Sequence, residues 1–99
     1  MSYVLAPEAA EELQEIFEWY LAHASSRVAA IFLEEFERTA RLVEREPGLG
    51  TMTGNGWAVF PVFRYPYSLI YRATDEGIRI GAIAHKRRGP GYRKTAEQR

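Results

Sequence analysis

The chain has 99 residues and no formal net charge, with 46% apolar and 26% charged residues, which excludes a disordered chain. This length predicts a single domain, residues 1–99, with one modest core and a flexible tail over residues 94–99. It has no cysteine, no signal peptide and no run of ~20 apolar residues, so we expect a cytoplasmic protein without disulfides or thiolate metal sites.

The first predicted elements are a strand and an acidic helix. Tyr3, Val4 and Leu5 have strand character, and Pro7 ends this run while suiting the first turn of a helix. Apolar residues then recur at three- and four-residue steps, which predicts an amphipathic helix of about four turns. These residues are Ala10, Leu13, Ile16, Phe17, Tyr20, Leu21 and Ala24.

A second amphipathic helix follows after Ser25 and Ser26, which are good N-cap residues. Residues 47–50, Pro-Gly-Leu-Gly, end it. Its apolar stripe consists of Ala29, Phe32, Leu33, Phe36, Ala40 and Val43. Because few residues separate the two helices, they must pack as an antiparallel hairpin, and a further layer is needed to cover their apolar stripes.

Three strands are predicted in the second half of the chain, over residues 57–62, 67–73 and 78–84. The connection 74–77 ends in glycine, which predicts an antiparallel hairpin of the last two strands. Pro61 and Pro66 each remove a hydrogen-bond donor, which places the first of these strands at a sheet edge or ends its pairing there. The predicted fold is α+β, in the order β-α-α-β-β-β, with an antiparallel helix hairpin on a mainly antiparallel sheet.

Charge is distributed unevenly between the two halves. Residues 1–50 contain ten acidic residues and four arginines, a net charge of −6, whereas residues 51–99 contain nine lysines and arginines and three acidic residues, a net charge of +6. This asymmetry predicts two faces with different partners, the basic one suited to an anionic surface. The alternative is that the bias merely follows helix and strand composition.

Few sequence features indicate a cofactor or metal site. There is no glycine-rich nucleotide-binding loop and no cluster of metal-ligand residues, so neither a cofactor nor a metal is predicted. His23 and His85 lie on different elements, and His23 suits the C-terminal end of the first helix. The paired glutamates of that helix are better explained as a solvated face than as acid and base groups.

The most informative stretch is residues 84–94, AHKRRGPGYRK, directly after the last predicted strand. Five of its eleven residues are lysine or arginine, with a histidine and a tyrosine among them. Arginine suits bidentate contacts to phosphate or carboxylate groups, while histidine and tyrosine can stack on bases or transfer protons. The alternative is a solvated basic tail.

Several short motifs, in this order and spacing, resemble the RelE/ParE toxin superfamily over about residues 3–93. They are EPGLG at 46–50, Phe60-Pro61, Arg64-Tyr65, YSLIYR at 67–72 and HKRR at 85–88. The resemblance implies a cognate, ParD-like antitoxin that wraps and silences the toxin in a hetero-oligomeric complex. It also implies one of two targets, since RelE-like members cleave messenger RNA on the ribosome and ParE-like members poison DNA gyrase.

One departure from the cleaving members favours gyrase. Ser68 stands on the third predicted strand where those members commonly carry an arginine. Arg87 matches their arginine after the last strand, and Tyr92 falls within about one residue of their terminal tyrosine. Loss of a transition-state charge contact costs several kcal/mol, although Arg64 or Arg72 could substitute in space.

The resemblance therefore yields three sets of expected site residues. Target-binding residues are Arg64, Arg72, Lys86, Arg87, Arg88 and Tyr92. Antitoxin-binding residues on the helix hairpin are Leu13, Phe17, Tyr20, Phe32 and Phe36. In the alternative, a ribosome-dependent mRNA endonuclease, His85, Arg87 and Tyr92 act as general base, phosphate-binding group and general acid. A third alternative is a non-toxic partner-binding module; no membrane partner is expected.

Overall fold

Two helices lie against one face of a five-stranded sheet in the computed structural model, which describes residues 2–86. In chain order the elements are β1 Ser2–Leu5, α1 Pro7–His23, α2 Ser26–Arg45, a 3-10 turn Pro47–Leu49, β2 Thr51–Met52, β3 Ala58–Pro61, β4 Tyr67–Thr74 and β5 Gly77–His85. The predicted α+β class and the helix hairpin are confirmed. Within residues 2–86, no helix is long and apolar enough to cross a membrane.

The helix hairpin is set by local signals in the sequence. α1 has Pro7 in its first turn, and the Ser25 hydroxyl caps α2 by accepting a hydrogen bond of 3.1 Å from the Val28 N–H. Only Ala24 and Ser25 separate the helices, which forces the chain to reverse. The side chains that these helices bury in the core are Ala9, Ile16, Ala29, Phe32, Phe36, Ala40 and Val43.

The strand order is β1-β5-β4-β3-β2, with β1 parallel to β5 and all other pairs antiparallel. β1 pairs closely at the start of β5, where Gly77 has a φ of 134°. A Cβ at Gly77 would collide with the carbonyl oxygen of Ser2. Glycine is therefore required here both for its backbone conformation and for the approach of the first strand.

The edge of the sheet differs from the prediction. The strand expected at 57–62 is β3, and it is not at the edge, because β2 pairs outside it through Thr51 with Val59 and Met52 with Ala58. β3 ends at Pro61, as the missing donor requires. A two-residue strand is too short to show an alternating pattern, so β2 could not be predicted from the sequence. The hairpin of the last two strands is confirmed, and its turn is Asp75 and Glu76.

The two faces of the sheet differ in what covers them. Leu69, Tyr71 and Ile80 face the helices and are at most 1% exposed. Residues that alternate with them, among them Ser68, Arg72 and Arg79, lie on the opposite face, which we call the helix-free face. A bulge leaves Gly81 unpaired, since Ile70 pairs with Ala82 and Tyr71 with Ile80. The bulge keeps Ile83 on the core face. Without it, strict alternation from Ile80 would place Ile83 on the helix-free face.

Tyr71 ties the sheet to the connection that follows α2. Its hydroxyl donates to the Pro47 carbonyl oxygen at 2.7 Å and accepts from the Gly50 N–H at 2.9 Å. A Cβ at Gly50 would collide with the same hydroxyl. The EPGLG motif at residues 46–50 therefore provides both hydrogen-bond partners of the Tyr71 hydroxyl on β4.

We predict that Tyr71→Phe lowers the free energy of unfolding by about 1–3 kcal/mol, because two partly buried backbone groups lose their partner. Urea unfolding followed by circular dichroism measures this. Tyr3→Phe is the matched control and should change stability by less than about 0.5 kcal/mol, since the Tyr3 hydroxyl makes no hydrogen bond within residues 2–86. An equally small effect of Tyr71→Phe would contradict the structural role of this hydroxyl.

Candidate target-binding surface

The end of the sheet where β5 finishes brings together aromatic and basic residues that the sequence singled out. His85, the last residue of β5, pairs with Tyr67, the first residue of β4. Their rings meet edge to face, with centroids 5.2 Å apart. The Lys86 N–H donates to the Pro66 carbonyl oxygen at 2.6 Å. The point at which the basic segment leaves the sheet is thus held by both strands.

Five rings from three parts of the chain form one group at this end. This end cluster consists of Tyr20, Phe32, Tyr65, Tyr67 and His85. The Phe32 ring centroid lies 5.6 Å from Tyr20, 5.2 Å from Tyr65 and 5.8 Å from Tyr67. Tilted and edge contacts of this kind contribute about 0.5–1.5 kcal/mol each beyond burial, so the cluster is a rigid base for the surface around it.

Two tyrosines of the end cluster, Tyr20 and Tyr65, have raised pKa values. Burial raises the pKa of Tyr20 above its ordinary value, and the neighbouring Tyr67 and Tyr65 raise it further. Burial also raises the pKa of Tyr65, with a further rise from Glu35 and an opposing effect of Arg64. At neutral pH these phenols are hydrogen-bond donors and not anions, which suits contact with a negatively charged partner.

Arg64 lies beside this cluster in an unusual backbone conformation. Its φ is 72°, in the left-handed region that non-glycine residues seldom adopt. Its guanidinium lies 5.3 Å from the centroid of the Phe63 ring, which is 65% exposed. Strain of this kind persists where the surrounding structure imposes it, and here it presents an aromatic ring and a cation together at the surface.

The predicted target-binding residues do not all come together. Arg64 and Lys86 are exposed at the end-cluster side of the sheet, whereas Arg72 lies on the helix-free face toward the other end of β4. Ser68 shares that face with Arg72, but four residues of strand, about 13 Å, separate them. His85 lies on the opposite, helix-covered face. Arg87, Arg88 and Tyr92 lie outside the described residues.

Burial corrects part of the predicted antitoxin surface. Phe32 and Phe36 are 0% and 3% exposed in the core of this chain, so neither offers surface to a partner. Leu13 and Tyr20 are half-buried and pack against that core, while Phe17 is half-buried and lies outside it. The apolar stripes of α1 and α2 are wider than the part of each helix that the sheet covers. The predicted antitoxin surface therefore included core residues together with exposed ones.

Other apolar side chains of the helix hairpin are exposed. Trp19 is 53% exposed, and Leu21, Ile31 and Leu33 are 36–42% exposed. Leu21 lies one turn beyond Phe17, on the edge of the α1 stripe that the sheet leaves uncovered. Leu21 and Leu33 were visible in the sequence as members of the stripes, but nothing there showed which edge is buried.

No metal site is formed by the described part of the chain. It holds no group of three histidine, cysteine, aspartate or glutamate residues that could bind a metal ion. His23 stacks on the Trp19 ring, with centroids 4.4 Å apart, and its Nδ1 lies 3.0 Å from the Trp19 carbonyl oxygen. His23 therefore completes the C-terminal end of α1.

Comparison with known proteins gives a family match and several structures of similar fold. Residues 3–90 match the family described as the ParE toxin of the type II toxin-antitoxin system, parDE. A solved structure of the chromosomal ParDE TA system from P. aeruginosa superposes with a TM-score of 0.75 at 19% sequence identity, covering 86% of this chain and 95% of that one. At this identity the likeness shows a shared fold alone. Among curated proteins, the sequence comparison finds no match.

We predict that the end cluster makes stability fall at alkaline pH. The phenols of Tyr20 and Tyr65 have raised pKa values in the folded protein, so their contribution is fully present below about pH 10 and is lost as the pH rises above it. Urea unfolding at pH 9 and pH 11 should show a smaller loss in Tyr20→Phe/Tyr65→Phe than in the wild type. An equal loss of stability in both proteins would contradict the raised pKa values of Tyr20 and Tyr65.

Proposed function

We propose that this chain, which belongs to the ParE toxin family and is the toxin of a type II toxin–antitoxin pair, arrests growth by poisoning DNA gyrase in the cytoplasm. The family match over residues 3–90 carries the toxin assignment. The choice of gyrase depends on the position of the cationic residues relative to Ser68 and His85.

The arrangement of charges supports a binding toxin over a nuclease. RNA cleavage needs a cation beside the phosphate where charge develops in the transition state. Ser68 is neutral, and Arg72 on the same face is about 13 Å farther along the strand. Arg64 lies beyond the start of β4, and His85 lies on the other face. Arg72 therefore does not replace the missing guanidinium next to Ser68.

A stoichiometric inhibitor requires only a complementary surface, and the end-cluster side of the sheet supports one. Arg64 and Lys86 supply positive charge there, Phe63 supplies an exposed aromatic anchor, and the clustered rings below keep the backbone rigid. Aromatic residues and arginine dominate the energetics of protein interfaces. We assign gyrase contact to this surface together with Arg87, Arg88 and Tyr92 of the following segment.

We assign the antitoxin, a ParD-like protein, to the apolar edge of the helix hairpin. Phe17 and Leu21 are one helical turn apart on α1 and remain available in the folded chain. Exposed apolar side chains in a row suit the apolar face of a partner helix. This surface lies on the opposite side of the domain from the helix-free face, so the antitoxin would contact helices and leave Arg72 uncovered.

We predict that expression of the chain arrests growth and that coexpression of its antitoxin restores it. Phe17→Glu/Leu21→Glu should stay toxic but no longer be neutralised, because two carboxylates would be buried in the complex; glutamate is a good helix former, so α1 should persist. Colony counts after induction and copurification of the two proteins measure this.

Met52→Glu is the control for this experiment, since Met52 is 65% exposed on the remote strand β2. This variant should behave like the wild type in both toxicity and rescue. Full rescue of the Phe17→Glu/Leu21→Glu variant by the antitoxin would show that the antitoxin does not bind this edge of the hairpin.

We predict that the purified toxin inhibits gyrase and leaves messages intact. It would be added separately to a supercoiling reaction and to a translation extract in which breaks in the message are mapped by primer extension. Loss of supercoiling or trapped, cleaved DNA supports gyrase as the target. Cuts at defined codon positions with normal supercoiling would instead establish the mRNA endonuclease.

A further inference from the structure

Two arginines lie directly opposite each other on the helix-free face. Arg72 on β4 pairs with Arg79 on β5 in the sheet register, which places their Cβ atoms about 4.5–5.5 Å apart. Each is flanked by a core residue, Tyr71 or Ile80, so both side chains lie on the same, outer face. Like charges at directly opposed positions destabilise a sheet.

Within residues 2–86, neither arginine forms an ion pair with an acidic side chain. Ion pairs join Arg38 to Glu35 and Arg41 to Glu37, all of them on α2. Asp75 and Glu76 occupy the adjacent hairpin turn, yet neither forms an ion pair with these arginines. Two neighbouring guanidiniums thus retain their capacity to bind an anion.

The Arg72 side chain is held in place by an aromatic ring. Its guanidinium carbon lies 4.7 Å from the centroid of the Trp57 ring. That ring in turn covers Gly81, where an added Cβ would lie 2.7 Å from two carbon atoms of the indole. The bulge at Gly81 therefore makes room for Trp57, which orients Arg72. An arginine ordered in advance loses less conformational entropy when it binds.

We propose that this arginine pair binds the phosphodiester backbone of DNA, so that the toxin contacts the DNA held by its target as well as the target protein. The inference deepens the gyrase assignment and rests on it for the source of the DNA. Duplex DNA carries one phosphate per 3.4 Å of helix axis on each strand, so two adjacent guanidiniums can contact neighbouring phosphates. An acidic peptide would first have to be ordered.

The charges of the two halves of the chain favour the same occupant. The half of the chain that contains these strands has a net charge of +6, and the half that contains the helix hairpin has −6. Residues 51–86, which the structure describes, contain four basic and two acidic residues, a net charge of +2. Arg72 and Arg79 of this segment lie on the face away from the acidic hairpin. A long polyanion would attract the helix-free face and repel the helices, which orients the toxin before contact.

The test is a fluorescence-anisotropy titration of labelled duplex DNA with the purified full-length chain at 50 and 200 mM salt. Arg72→Gln/Arg79→Gln removes two phosphate contacts. Because each contact contributes about 0.9 to the salt slope, the wild type should lose about tenfold more affinity over this range than the variant. Arg27→Gln/Arg45→Gln, two exposed positions on α2, gives the same net charge and should titrate like the wild type.

Three outcomes would overturn this inference. The first is unchanged DNA affinity and salt slope in folded Arg72→Gln/Arg79→Gln. The second is an equal loss in Arg27→Gln/Arg45→Gln, which would reduce the effect to net charge. The third is arginine-dependent binding to polyglutamate as tight as to DNA, which would assign the face to an acidic protein. Arginine-dependent DNA binding without gyrase inhibition would uphold this site and refute the gyrase target.

Discussion

The hydroxyl of Tyr71 is the contact on which the arrangement of the two layers depends. The helices end at Arg45, and the chain must then cross from the helical layer to the sheet within a few residues. The Tyr71 hydroxyl stabilises this connection through hydrogen bonds to the Pro47 carbonyl oxygen and the Gly50 N–H. Since the tyrosine is 1% exposed on a central strand, the crossing point cannot shift without opening the core.

A second polar contact fixes the other helix over the same sheet. The Glu12 carboxylate on α1 accepts a hydrogen bond of 2.8 Å from the Ile83 N–H on β5. β1 pairs with β5 only as far as Ile80. Beyond that point the Glu12 carboxylate, and not a strand, accepts the hydrogen bond from the backbone of β5. Because both helices are fixed in this way, Tyr20 and Phe32 contact Tyr65, and the end cluster forms at the end of the sheet where β5 finishes.

The separation of charge between the layers is a consequence of this architecture. A helix hairpin on one face leaves the other face of the sheet for a different partner, and the acidic residues belong mostly to the helices. The arginines of β4 and β5 then lie on the face away from those acids. The exposed apolar side chains of the hairpin and the arginine pair of the sheet therefore lie on opposite sides of the domain.

The sequence alone determined the elements that depend on short-range signals: both helices, the reversal between them, the hairpin of the last two strands and the basic segment after the final strand. These follow from periodicity, caps and turn residues, which act within a few positions. Tertiary structure decided the rest. Which edge of an apolar stripe is buried, as for Phe36 against Leu21, depends on where the sheet lies. The bulge at Gly81, the short strand β2 and the pairing of Arg72 with Arg79 depend on register between distant segments, which no local pattern contains.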